Sequence, residues 1–209
     1  MKPFIDAHCH RYKGNFCILN LDSNLFPKGE YLTSRGIHPW TLKVDFENLK
    51  TNLIESMDKI DFIGECGLDK LRGDDILTQM EVFKFQLKLA EKFNKGVILH
   101  CVKSYNEILK VLDGYNLKAV LFHGFNSSIQ MAKLILEKNY YISIGPDFFK
   151  KNNACQFLKE FINSNLLFET DTKDLEIEEV YFMASKILCI EIDQLSEIVY
   201  STFSRLVNK

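Results

Sequence analysis

Eight apolar runs of strand length, helical periodicity alternating with them from residue 41 onward, and reactive side chains at the ends of several runs predict an α/β fold, a TIM-like (β/α)8 barrel. The runs fall near 4–9, 16–21, 31–37, 60–65, 96–100, 118–123, 140–144 and 166–170. Residues 45–57, 75–93, 104–112, 127–138 and 152–163 carry apolar side chains at three- and four-residue spacing. Two more helices, near 176–189 and 193–207, end the pattern. Strand–helix alternation means parallel strands joined by crossovers. Such barrels build their sites at the C-terminal strand ends, where the candidate residues lie.

The first third predicts a distortion. About five residues separate strand 4–10 from strand 16–21, whereas a parallel crossover ordinarily takes a dozen or more. Residues 22–30, with Pro27 and Gly29, read as a loop rather than a helix. We expect an up-down-up meander in place of the first two helices, with strand 16–21 antiparallel to its neighbours. A regular barrel with that strand parallel is the alternative. Strand 31–37 then returns and delivers Gly36-Ile37-His38-Pro39-Trp40 to the ligand face. Without those helices, Leu25, Phe26 and Tyr31 would lie beneath a partner subunit or beneath the loop itself.

At 209 residues, 46% of them hydrophobic, the chain is expected to form one domain over 1–209 with a sizeable core. It has no apolar stretch near the roughly 20 residues that span a bilayer and no basic-then-apolar leader, so a cytoplasmic location is expected. Six cysteines without a Cys-x-x-Cys pair argue against a disulfide framework or a thiolate zinc site. Cys9, Cys66 and Cys101 neighbour candidate ligands, but strand alternation turns them to the opposite face, where a thiol acts as a small hydrophobe. A net charge of −2 gives no global field for nucleic acid; polyanion binding would need a local patch.

All five histidines sit at or near the end of an apolar run. In Phe4-Ile5-Asp6-Ala7-His8-Cys9-His10 the i, i+2 spacing projects His8 and His10 from one strand face, a natural pair of metal ligands. Glu65, His100, His123 and Asp171 end later runs in the same way. Singly, each has an ordinary alternative: strand cap, surface acid, core histidine or helix cap. Their agreement favours ligation. His38, before Pro39, suits substrate contact and turn-building equally.

Together these motifs resemble the TatD-type metal-dependent deoxyribonucleases, amidohydrolase-like barrel hydrolases. The likeness rests on Asp6-Ala7-His8-Cys9-His10, Gly36-Ile37-His38-Pro39, Ile63-Gly64-Glu65-Cys66-Gly67-Leu68-Asp69, the helix from Gln79 to Ala90 leading to His100, His123-Gly124-Phe125, and Glu169-Thr170-Asp171. It implies two divalent metal ions (Mg, Mn or Zn): His8, His10 and Asp171 on one, His100 and His123 on the other, and Glu65 bridging. A water shared by the metals would attack phosphorus, with Asp171 orienting it and accepting its proton. Asp6 is expected in a supporting role and Glu169 as a polar partner. The sequence departs from the pattern in the short segment 172–176, in Val102-Lys103 after His100, and in Phe203 where asparagine is expected. These departures bear on substrate choice rather than on ligands.

Arg11, Arg35, Lys70, Arg72, Lys103, Lys150, Lys151 and Lys173 fall near strand ends and could pair with phosphates. We single out Arg11, Lys103 and His38 as substrate contacts. Tyr12, Trp40, Tyr105, Phe125 and Phe148 share those loops and could stack bases. DNA or another phosphoester is the expected substrate, with attack at strand ends or on single strands the sharper expectation; a small phosphoester, lactone or amide is the alternative, and a non-catalytic metal-binding scaffold the third reading.

Overall fold

The computed structural model describes residues 2–14, 16–21, 28–41 and 46–208. Eight strands follow one another in chain order: β1 (Ile5–Cys9), β2 (Phe16–Asn20), β3 (Leu32–Arg35), β4 (Phe62–Asp69), β5 (Gly96–Val102), β6 (Val120–Phe122), β7 (Tyr141–Ile144) and β8 (Leu166–Phe168). Each adjacent pair is parallel. Asp171, just past β8, closes the ring onto β1 by a parallel bridge to Cys9. Its N–H donates to the His8 carbonyl at 2.9 Å, and the His10 N–H donates to its carbonyl at 3.1 Å. The predicted TIM-like barrel is the fold of the chain.

The antiparallel placement of strand 16–21 is corrected: β2 is parallel to both β1 and β3. Phe16 lies beside Ile5, so the chain retraces only the length of β1. Four strand residues cover about 13 Å, and the seven steps from Cys9 to Phe16 reach roughly 23 Å when extended. A crossover without a helix can be that short.

The helices are α1 (Phe46–Glu55), α2 (Ile76–Lys92), α3 (Tyr105–Leu112), α4 (Ile129–Glu137), α5 (Ala154–Phe161), α6 (Ile177–Leu188) and α7 (Ile192–Val207). Among the described residues none lies between β1 and β2 or between β2 and β3, so the helical layer starts after β3. Leu25 and Phe26 lie outside the described residues; Tyr31 packs on Tyr12, ring centroids 5.0 Å apart. No helix among the described residues is long and apolar enough to cross a membrane.

Helix α2 shows how the sequence sets local structure. Asp75 accepts from the N–H groups of Leu77 and Thr78 at 3.0 and 3.1 Å, capping two donors that the first turn leaves unpaired. Val82, Phe83, Leu87 and Ala90 then pack the apolar stripe against the barrel. Gln79 and Gln86 lie on that buried stripe as well, two turns apart. Gln86 clamps Ile37, accepting from its N–H at 2.7 Å and donating to its carbonyl at 3.0 Å. Gln79 clamps Asp69 in the same way, at 2.8 and 2.9 Å. Helix α2 thereby fixes the ends of β3 and β4, two of the strand ends that carry site residues. Between them, Gly67 holds a φ of +139°, and a Cβ there would lie 2.1 Å from the His100 carbonyl oxygen. Only glycine permits β4 to approach β5 so closely.

Candidate metal centre

Glu65 is 6% exposed and stands among all five imidazoles. Its Oε1 faces His10 Nε2 at 2.8 Å and His8 Nε2 at 3.2 Å. Its Oε2 faces His123 Nε2 at 2.8 Å, His100 Nδ1 at 3.4 Å and His38 Nε2 at 3.5 Å. Asp171 completes the first side, with Oδ1 3.6 Å from His10 Nε2 and 3.8 Å from His8 Nε2. Asp171 holds a φ of +53°, a left-handed conformation that costs energy for a residue with a Cβ. Its two backbone bonds to β1 keep it there.

The charges are interdependent. Burial alone would raise the Glu65 carboxyl, but the imidazoles of His123 and His8, with hydrogen bonds from His10 and His100, hold it far below the usual carboxylate range. Burial disfavours a cation on His123, yet Glu65 and Glu169 hold that imidazole well above its ordinary value. His38 moves the other way, lowered chiefly by burial.

The residues fit a divalent cation. His8 Nδ1 and both ring nitrogens of His123 are buried without a hydrogen-bond partner. His123 Nε2 is close to Glu65 but poorly aligned for a hydrogen bond, and an unpaired buried nitrogen is costly unless a cation takes its lone pair. Two sets of side chains bring ligand atoms within 4.8 Å of one another: His8, His10, Glu65 and Asp171, and His38, Glu65 and His100. The first set is the one anticipated. In the second, His38 takes the place expected for His123, which stands beside Glu65 but outside both sets.

Supporting residues hold this constellation. Asp69 Oδ2 lies 3.2 Å from His100 Nε2 and accepts the Trp40 indole N–H at 2.7 Å. Buried Asp6 accepts from the Thr170 hydroxyl at 2.6 Å and its N–H at 3.0 Å, tying β1 to the segment after β8. Burial pushes the Asp6 carboxyl up to about 7. Glu169 accepts from the Gly124 N–H at 2.7 Å and from the Ser143 hydroxyl, with its Oε1 3.8 Å from His123 Nδ1. The sequence reading missed the roles of Asp69, Gln79 and Gln86. Two glutamines seven apart on an apolar helix stripe were the available signal.

Cys9 and Cys66 are buried, Cys101 partly so, and none joins a ligand set. Phe203, at the position expected to be asparagine, is core and packs edge-to-face on Phe16 at 5.7 Å. A cavity of about 530 Å³ opens over Glu65, with Arg35, His38, Trp40 and Asn52 in its walls. A second cavity of about 220 Å³ lies between the loops after β6, β7 and β8. Asp171 belongs to both walls. Arg11 and Lys103 line neither cavity, and Arg11 faces Asp174 at 3.8 Å.

A parallel barrel with histidines and carboxylates converging at its C-terminal strand ends defines a metal-site barrel of the hydrolase type. The sequence model described as TatD related DNase matches residues 21–207, and the chain belongs to that family. It is 31% identical over 161 residues to the "Putative deoxyribonuclease TATDN1 homolog" of Vairimorpha ceranae, covering 76% of this chain and 58% of that protein. It is 30% identical over 151 residues to the "Uncharacterized metal-dependent hydrolase YjjV" of Escherichia coli, covering 68% and 58%. The chain thus spans less than two thirds of the length of either relative. The crystal structure of E. coli YjjV superimposes with a TM-score of 0.81 at 20% identity, covering 99% of this chain and 98% of that one. A TatD family hydrolase from Entamoeba histolytica gives 0.79 at 18% identity, covering 99% and 98%. These two likenesses concern the fold.

Proposed function

We propose that the chain is a divalent-metal-dependent phosphodiesterase that cleaves DNA, favouring single strands or strand ends. The carrying observation is the position of Glu65, whose two oxygens face two different groups of ligands, as a carboxylate shared between two cations would. In this reading His8, His10 and Asp171 would hold one ion, His100 with His38 and the adjacent His123 the other, and Glu65 would serve both. Bound there, two such ions would supply Lewis acidity at the scissile phosphate.

The remaining work falls to the chain's own groups. Asp171, with a side chain 36% exposed and shared by both cavities, is placed to orient water. It takes the proton that water loses as its oxygen bonds phosphorus and the bond to the leaving oxygen breaks. Asp69 orients the His100 ring, and Glu169, with Oε1 3.8 Å from His123 Nδ1, flanks the far side of the His123 ring. Arg35 lines the larger cavity and would meet a phosphate. Trp40 is 45% exposed, with the Arg72 guanidinium 5.0 Å from its ring centre, and would stack a base. The name of the Vairimorpha relative supports a DNA substrate.

End-labelled single-stranded and duplex DNA, incubated with the metal-stripped protein after restoring Mg²⁺, Mn²⁺ or Zn²⁺, tests this reading. Cleavage should require metal and vanish in Glu65→Gln and Asp171→Asn. Turnover of small chromogenic esters with intact DNA would overturn the nuclease reading in favour of a smaller substrate.

A further inference from the structure

Beyond Asp171 from Glu65 lies the 220 Å³ cavity, whose charged walls comprise Lys151, Lys173, Asp147, Glu169 and Asp171. Each acid is engaged. Asp147 pairs with Lys173 and with Lys150, each at 2.6 Å. Glu169 accepts from Gly124 and Ser143, and Asp171 faces His8 and His10. Lys151 differs: among the described residues it enters no ion pair, and its ammonium lies 4.5 Å from the centre of the Phe148 ring. It is half-buried, and burial lowers its pKa with no acid opposing the shift. The backbone offers an anion little here. The N–H groups of Gly124, Phe125, Asn126, Phe148 and Lys151 already donate to Glu169, Ser143, Tyr105, Gly145 and Phe148.

We propose that this cavity is a phosphate subsite in which Lys151 binds the phosphodiester next to the one being cleaved. The proposal rests on the nuclease reading of the neighbouring centre and deepens it. A cation withdrawn from water without a carboxylate gains when an anion arrives. Because the two cavities meet at Asp171, a strand crossing the centre places one nucleotide on each side of the scissile bond. A polynucleotide fills both cavities; a phosphomonoester fills one. This distinguishes Lys151 from Arg11 and Lys103, which reach neither cavity.

Lys151→Met keeps a stem over Phe148 and removes the charge, and Lys151→Arg restores it. On single-stranded oligothymidylate the methionine variant should raise KM about tenfold with kcat within about twofold. Its slope of log KM against log salt should fall by about 0.7, one phosphate contact's worth, and the arginine variant should return both. Equal KM and equal slope in wild type and the methionine variant would overturn the subsite. Failure of the wild type to cleave any DNA sinks the nuclease reading alone, and inorganic phosphate then judges the subsite. Slower reductive methylation of Lys151 Nζ in the metal-loaded chain with phosphate present supports it; an unchanged rate overturns it.

Discussion

Asp69 Oδ2 lies 3.2 Å from His100 Nε2, on the opposite edge of the ring from the Nδ1 that faces Glu65. The contact selects the ring orientation that offers Nδ1 to a cation. The Trp40 indole and the Gln79 amide hold Asp69 in turn. Replacing Asp69 with alanine should therefore weaken metal affinity about 10–100-fold while leaving the fold intact, as read by metal titration beside circular dichroism. Unchanged affinity would show that the ring is held by packing alone.

Asp6 and Thr170 join the first strand to the segment after the last. Thr170→Val removes the hydroxyl donor at 2.6 Å from a buried carboxyl and should cost about 1–3 kcal/mol in chemical denaturation. Thr170→Ser, which keeps the donor, should recover most of it. Stability kept in Thr170→Val but lost in Thr170→Ser would instead assign the effect to the methyl group's packing.

Without metal, stability should depend on pH in a defined direction. His123 is raised above 6.5, so its contribution is complete below the unfolded value and is lost as pH climbs through the raised one. Asp6, raised from 3.8 to about 7, acts with the same sign over a lower window. Glu65 is depressed, and its contribution disappears only in acid, below that range. The lowered His38 opposes His123 and Asp6 near its ordinary value, but those two together should make the thermal midpoint of the metal-stripped chain decline from roughly pH 5 to pH 8. Metal must displace the His123 proton, so loading should release protons, visible as a buffer-dependent heat. A midpoint that rises across the window contradicts this electrostatic account.

The Asp171 carboxylate is assigned to proton transfer. Asp171→Asn should lower kcat by about 10²–10⁴ and leave KM for oligonucleotide nearly unchanged. A comparable loss confined to KM would make Asp171 a binding group instead.

The strands and helices were legible because their apolar periodicities are long and regular, as in 75–93, where α2 lies. The direction of strand 16–21 was not: the crossover-length rule presumes a helix, and this chain makes the return without one. Candidate ligands at strand ends could be read because strand ends share one face of a barrel, and His8, His10, Glu65, His100, His123 and Asp171 do lie together there, with His123 outside both close sets. Which histidines share an oxygen of Glu65 depends on ring orientation, and spacing carries no record of that. The same holds for the cations. Arg11 and Lys151 look alike in sequence, but Asp174 engages one while the other lies half-buried over Phe148.

The central claim is that Glu65 is shared by two ions, and anomalous diffraction from Mn²⁺-loaded crystals tests it most directly. Two peaks are predicted on either side of the Glu65 carboxylate, one beside His8, His10 and Asp171, the other beside His38 and His100. A single peak, or peaks remote from Glu65, would contradict the account.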